Sequence, residues 1–126
     1  MLSLAAVVAF VAACGGAGAN TVVSGDDVRV LMFDDRFQYT EIHIPVGGSV
    51  EWVGAGRNPH NAVAADGSWS TESVFGSLLQ LEGDAATLTY DEPGRWVFFC
   101  TLHGNAEGEG MAGVLVVGAE PEGEGG

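Results

Sequence analysis

The residues that could do chemistry lie mostly in one short stretch, FFCTLHGNAEGEGM, from Phe98 to Met111. Cys100 ends an aromatic run, His103 follows three positions later, and Met111 closes an acidic loop jointed by Gly104, Gly108 and Gly110. A thiol, an imidazole and a thioether so close together suggest a metal site, because a coordinated thiolate is deprotonated and no longer idle. A second imidazole is available from Asn58-Pro59-His60-Asn61, where the proline stiffens the turn before His60 and the following strand would carry the ring to one end of the fold. Two imidazoles, a thiolate and a thioether match a trigonal His2Cys copper site with a weak axial methionine. Zinc prefers four strong ligands, and a thioether is not among its usual ones.

Other readings use fewer of these residues. A cysteine hydrolase would take Cys100 as nucleophile and His103 as base, which leaves His60 and Met111 without a part. Met111 taken alone also suits an ordinary core position.

Such ligands must be positioned by strands, because apolar residues between the chain ends alternate rather than recur at helical spacing. Residues 29–33, 39–44, 49–53, 62–64, 86–90, 95–100 and 113–117 read as strands, separated by turns such as Pro45-Val46-Gly47-Gly48 and Asp91-Glu92-Pro93-Gly94. Residues 73–81 fit either a short helix or an irregular strand over one end of the sheets. About seven to eight short strands with no long helical stretch predict an all-β fold, an antiparallel Greek-key sandwich. Its expected core is Val30, Met32, Ile42, Ile44, Val50, Trp52, Val63, Leu88, Val97, Phe99, Leu115 and Val117. Alternation along 95–100 puts Val97 and Phe99 on one face and Trp96, Phe98 and Cys100 on the other. Trp52 and Trp96 read as packing residues, and His43 beside Glu41 as a surface residue.

The chain of 126 residues suffices for one domain with a real core. It carries 17 acidic residues against 4 basic ones and a formal net charge of −13. Phosphate backbones and anionic headgroups would be repelled, which excludes nucleic acid as a partner and leaves cationic protein surfaces.

Residues 1–13, MLSLAAVVAFVAA, are apolar but too short to span a bilayer, and they read as a lipoprotein-type signal peptide. Val11-Ala12-Ala13-Cys14 resembles a lipobox, in which Cys14 becomes the lipid-modified first residue of an exported protein. The expected location is therefore the outer face of the cell membrane or the periplasm, with membrane contact through the lipid anchor alone. Residues 14–27 are expected to form a flexible tether, 28–118 the folded domain and 119–126 an acidic glycine-rich tail. Ala17-Gly18-Ala19 offers a second cleavage pattern before Asn20, and no positive charge precedes the apolar run, which a start further upstream would explain. Either cleavage separates Cys14 from the domain, so no disulfide with Cys100 is expected.

With these features the sequence resembles the small blue copper proteins, or cupredoxins, in particular the plastocyanin, amicyanin and halocyanin-like group. The resemblance rests on Ile44-Pro45-Val46-Gly47 before Glu51-Trp52-Val53, on His60-Asn61, on Asp91-Glu92-Pro93-Gly94 with Arg95-Trp96-Val97-Phe98-Phe99-Cys100, and on Met111-Ala112-Gly113. It implies one type 1 copper bound by His60, Cys100, His103 and Met111, with Asn61 and Thr101 fixing the ligand loops and the thiolate by hydrogen bonds. It further implies a monomeric electron carrier, not an enzyme, that cycles between Cu(II) and Cu(I). By the same resemblance electrons would pass through the edge of His103 to redox partners such as a cytochrome or a terminal oxidase. Copper enzymes of this fold need a second centre with several more histidines, and here only His43 is spare. A copper-binding module for delivery or storage would use the same ligands and is the alternative reading. The spacing from His103 to Met111 is longer than in plastocyanin, and Glu107 and Glu109 in the extra length are expected to lower the reduction potential slightly.

Overall fold

A computed structural model describes residues 20–118, in which the alternating segments form two packed sheets. The signal peptide, the lipidation at Cys14 and the acidic tail expected from the sequence lie outside the described residues. The strands are β1 (Val22–Ser24), β2 (Asp27–Met32), β3 (Glu41–Ile44), β4 (Gly48–Gly54), β5 (Val63–Ala64), β6 (Ala85–Tyr90), β7 (Gly94–Gly104) and β8 (Gly110–Val117), with one helical turn, α1 (Glu72–Phe75), between β5 and β6. One sheet has the order β1-β3-β8-β7-β5 and the other β2-β4-β6.

The all-β sandwich expected from alternation is present, but its pairing is mixed rather than antiparallel. β1 with β3, β3 with β8, and β2 with β4 run parallel. In sequence β1 and β3 are separated by β2, which belongs to the other sheet, and β2 and β4 are separated likewise by β3. β4 and β6, separated by β5 of the other sheet, nevertheless pair antiparallel, as do β5 with β7 and β7 with β8, so crossing between layers does not by itself set direction, and a period-2 pattern carries no sign of it. β1 falls within the stretch 14–27 expected as a tether. It is held by backbone pairing to β3 in register Val22 to Glu41 and Val23 to Ile42, supported by Thr21 Oγ1 donating to the Gln38 carbonyl at 2.9 Å.

Alternation fixes the inner faces. Val28, Val30 and Met32 of β2, Ile42 and Ile44 of β3, Val50 and Trp52 of β4, and Leu88 and Tyr90 of β6 are buried in one cluster with Leu115 and Val117 of β8. Phe37, from the β2–β3 connection, plugs this core edge-on against Trp52 and Phe98, with ring centroids 5.8 and 4.9 Å away. Trp52 donates its Nε1–H to the Tyr90 hydroxyl at 3.2 Å, so the one polar atom of that buried indole is satisfied.

One core assignment is reversed. Val97 and Phe99, expected inside, are only half-buried, while Phe98 and Cys100 are fully buried, and Val63 is also only half-buried. Cys100 must face between the sheets to meet His60, and the two-residue period then takes Phe98 inward with it. The ambiguous stretch 73–81 begins inside the single turn of α1, which is capped by Gly76 in the left-handed conformation with φ 92°. Beyond it the chain is irregular as far as Gln80, which forms a bridge to His60.

Candidate metal centre

The centre is built where β7 and β8 fall out of step. Their antiparallel pairing runs from Gly94 opposite Val117 to Phe99 opposite Ala112, and resumes only at Gly104 opposite Gly110. Between those two pairs stand four residues of β7, Cys100 to His103, facing a single residue of β8, Met111. A bulge of this size gathers in one place side chains that a regular ladder would spread over both faces of the sheet. It also explains how the long His103-to-Met111 spacing is accommodated. The extra residues fold into a closed hairpin tip in which Asn105 Oδ1 accepts the backbone N–H groups of Glu107 and Glu109 at 3.0 and 3.1 Å, and Asn105 Nδ2 donates to the Glu109 carboxylate at 2.9 Å. Glu107 and Glu109 are exposed at that tip, and Met111 re-enters the core with only 1% exposure.

Two glycines permit the close approach. A Cβ on Gly104 would lie 2.3 Å from the Met111 carbonyl oxygen, and one on Gly110 would lie 2.5 Å from that of His103, where φ is also +74°.

His60 reaches the same place from the β4–β5 connection. Its backbone is paired with Gln80 in both directions, at 3.0 and 2.8 Å. Gln80 is itself buried, and its Nε2 donates to the carbonyls of Trp52 and Asp84 at 2.9 and 3.0 Å. Asn61 ties the two ligand segments together: its Oδ1 accepts the backbone N–H of Thr101 at 2.9 Å, and its Nδ2 donates to Thr101 Oγ1 at 3.1 Å and to the Leu78 carbonyl at 3.3 Å. The residue after Cys100 is thereby fixed to the residue after His60.

The ligand atoms of His60, Cys100 and His103 all lie within 4.8 Å of one another, the one such cluster among the described residues. Cys100 Sγ is 3.8 Å from His60 Nδ1 and 3.6 Å from His103 Nδ1. An ion about 2.0 Å from nitrogen and about 2.3 Å from sulfur, in a trigonal arrangement, would set those donors about 3.7 Å apart. The donors therefore stand where a three-coordinate ion would hold them. His60 and Cys100 are fully buried and His103 is exposed, so the cluster meets solvent at His103. Leu102, next to His103 in sequence, is more than half exposed.

Sequence reasoning singled out His60, Cys100, His103 and Met111 and the pair Asn61 and Thr101, and the fold brings the three donors of the cluster and the Asn61–Thr101 pair together. It missed two residues. Gln80 locks the His60 backbone, and Asp34, in the β2–β3 connection, stands 3.2 Å from His60 Nε2. Hydrogen bonds from the backbone N–H groups of Asn58 and Arg57 hold the Asp34 carboxyl below the usual carboxylate range. Neither residue has a spacing that marks it. His43 is only partly exposed and pairs with Glu41 at 2.7 Å, away from the centre.

The family model described as copper binding proteins of the plastocyanin/azurin family matches residues 19–118. Amicyanin from Paracoccus denitrificans is 29% identical over 68 residues, which are 54% of this chain and 51% of amicyanin. Chloroplastic plastocyanin from Physcomitrium patens is 31% identical over 106 residues, 80% of this chain and 59% of the plastocyanin. The chain thus spans between half and two thirds of the length of these relatives. Among solved structures, an oxidised amicyanin variant superposes with a TM-score of 0.55 at 23% identity, over 75% of this chain and 85% of that one. Reduced auracyanin from Roseiflexus castenholzii gives 0.56 at 16% identity, over 77% and 100%. A copper-containing nitrite reductase from Thermus scotoductus gives 0.55 at 22%, but only 23% of its chain is covered.

Proposed function

The chain belongs to the plastocyanin/azurin family of copper binding proteins, and from that membership we propose that it is a type 1 copper electron carrier, with His60, Cys100, His103 and Met111 as the ligands. The observation that carries this reading is the separation of the donor atoms, 3.6 and 3.8 Å from one thiolate to two imidazoles, inside a bulge that leaves Met111 alone on the facing strand. Bound copper supplies a one-electron Cu(II)/Cu(I) couple, and a fixed trigonal donor set suits both states. The protein's part is to keep that donor set still. Asn61 and the Gln80 bridge hold the two ligand segments, so a change of charge at the metal finds little to rearrange.

Burial of His60, Cys100 and Met111 favours retention of the metal, and so supports a carrier over a delivery module. The nitrite reductase places this fold within an enzyme, but that chain is covered over 23% of its length and this one gathers a single donor cluster among its described residues. A carrier needs one exposed edge, and His103 supplies it beside Leu102. Export and a lipid anchor at Cys14 complete the proposal on the strength of the motif around that cysteine. No helix among the described residues is long and apolar enough to cross a membrane.

Absorption spectroscopy tests the reading. The purified protein with one equivalent of Cu(II) should show an intense visible thiolate-to-copper band that bleaches with ascorbate and returns on oxidation. No band, with Cys100 titrating as a free thiol, would refute it. Mass spectrometry of the mature N-terminus tests the anchor: an unmodified chain starting at Asn20 would remove it.

A further inference from the structure

The side of His60 turned away from the thiolate is also built, against the partly exposed carboxylate of Asp34. The ring is fully buried, and its Nε2 lies 3.2 Å from Asp34 Oδ1. The same oxygen accepts the backbone N–H of Asn58 at 2.9 Å, which pins the carboxylate to the turn that carries His60. Gly56 makes the seat: a Cβ at that position would lie 2.1 Å from Asp34 Oδ1, so any other residue would displace the carboxylate. Three separate features, the glycine, the backbone donor and the buried imidazole, therefore converge on one oxygen.

We infer that Asp34 is a positioning residue of the copper centre: its carboxylate accepts the Nε2–H of His60, keeps the Nδ1 lone pair aimed at the metal, and biases the centre towards Cu(II). The inference rests on His60 being a copper ligand, as proposed above. With the proton fixed on Nε2, Nδ1 can only be a donor to the metal. A negative acceptor also raises the basicity of the ring and stabilises the more highly charged ion, because the attraction grows with the charge of the metal. His103 is exposed, so the two imidazoles have separate duties. One is tuned and buried, and the other faces outward.

Three copper-loaded full-length proteins test this: wild type, Asp34→Asn and Asp34→Ala. Asparagine keeps an acceptor oxygen for His60 and Asn58 but removes the charge. D34N should keep the visible band while its preference for Cu(II) over Cu(I) falls about tenfold, a rise in potential of about 59 mV for a one-electron couple. D34A should lose the slowly exchanging His60 Nε2 proton in the NMR spectrum of the Cu(I) form. A D34N potential within a twofold change of preference, or a D34A protein that retains the protected proton, overturns the role of Asp34. Should D34A fail to fold, the D34N potential decides alone. A wild type without any copper band would instead overturn the proposed function, so the two failures are distinguishable.

Discussion

Asn61 shows at the scale of single residues how a metal loop is kept in place by a group that never touches the metal. It is fully buried and spends its side chain on Thr101 and Leu78. Asn61→Ala should lower the stability of the metal-free protein by about 1–3 kcal/mol, because it leaves Thr101 N–H without its acceptor. Urea unfolding of the apo-protein measures this, and an unchanged midpoint would mean that water replaces the amide without loss. The donors were legible in the sequence for a simple reason, whereas the Asn61–Thr101 brace was implied only by the family resemblance. Cys100, His103 and Met111 are local neighbours, and His60 stands directly after a proline turn. Asp34 was not legible, since its contact with His60 spans 26 residues and its setting, Asp34-Asp35-Arg36, looks like any charged turn. Gln80 was hidden in the same way, as a polar residue whose use is entirely non-local.

At the scale of elements, the β7–β8 bulge decides the geometry. Gly104 is its hinge, with the Met111 carbonyl where a side chain would begin. Gly104→Ala should force the hairpin apart, with about 1–3 kcal/mol lost from the apo-protein through overpacking against the Met111 carbonyl and a displaced visible band in the copper form. Thermal unfolding and absorption spectroscopy read the two effects separately; an alanine variant with both unchanged would show that the bulge yields freely. Strand positions were legible from alternation, because each inner face is a run of apolar residues at period two. Which face of β7 points inward was not, since Trp96-Val97-Phe98-Phe99 is apolar on both sides and only the partner of Cys100 breaks the tie. β1 went unseen because three residues are too few for a pattern, and its pairing is made to β3 on the far side of an intervening strand.

Charge belongs to the whole molecule. A net charge of −13 produces a field that attracts cationic partners from beyond contact range. Electron transfer with a cationic redox protein should slow steadily as ionic strength rises, since the screening length falls from about 30 Å at 0.01 M to about 10 Å at 0.1 M. Stopped-flow mixing across that range measures it, and a flat profile would leave the acidity as a matter of solubility. The strand order has a separate consequence, in time. β8 lies between β3 and β7 at the centre of its sheet, and Glu41 of β3 pairs with Val114. Until β8 has left the ribosome, the earlier strands of that sheet have no middle to close upon, and folding waits on contacts across most of the domain. Three of the four proposed ligands also arrive in this last part of the chain. An interrupted chain therefore has neither a closed sheet nor a place for copper, and only a chain synthesised through β8 can mature.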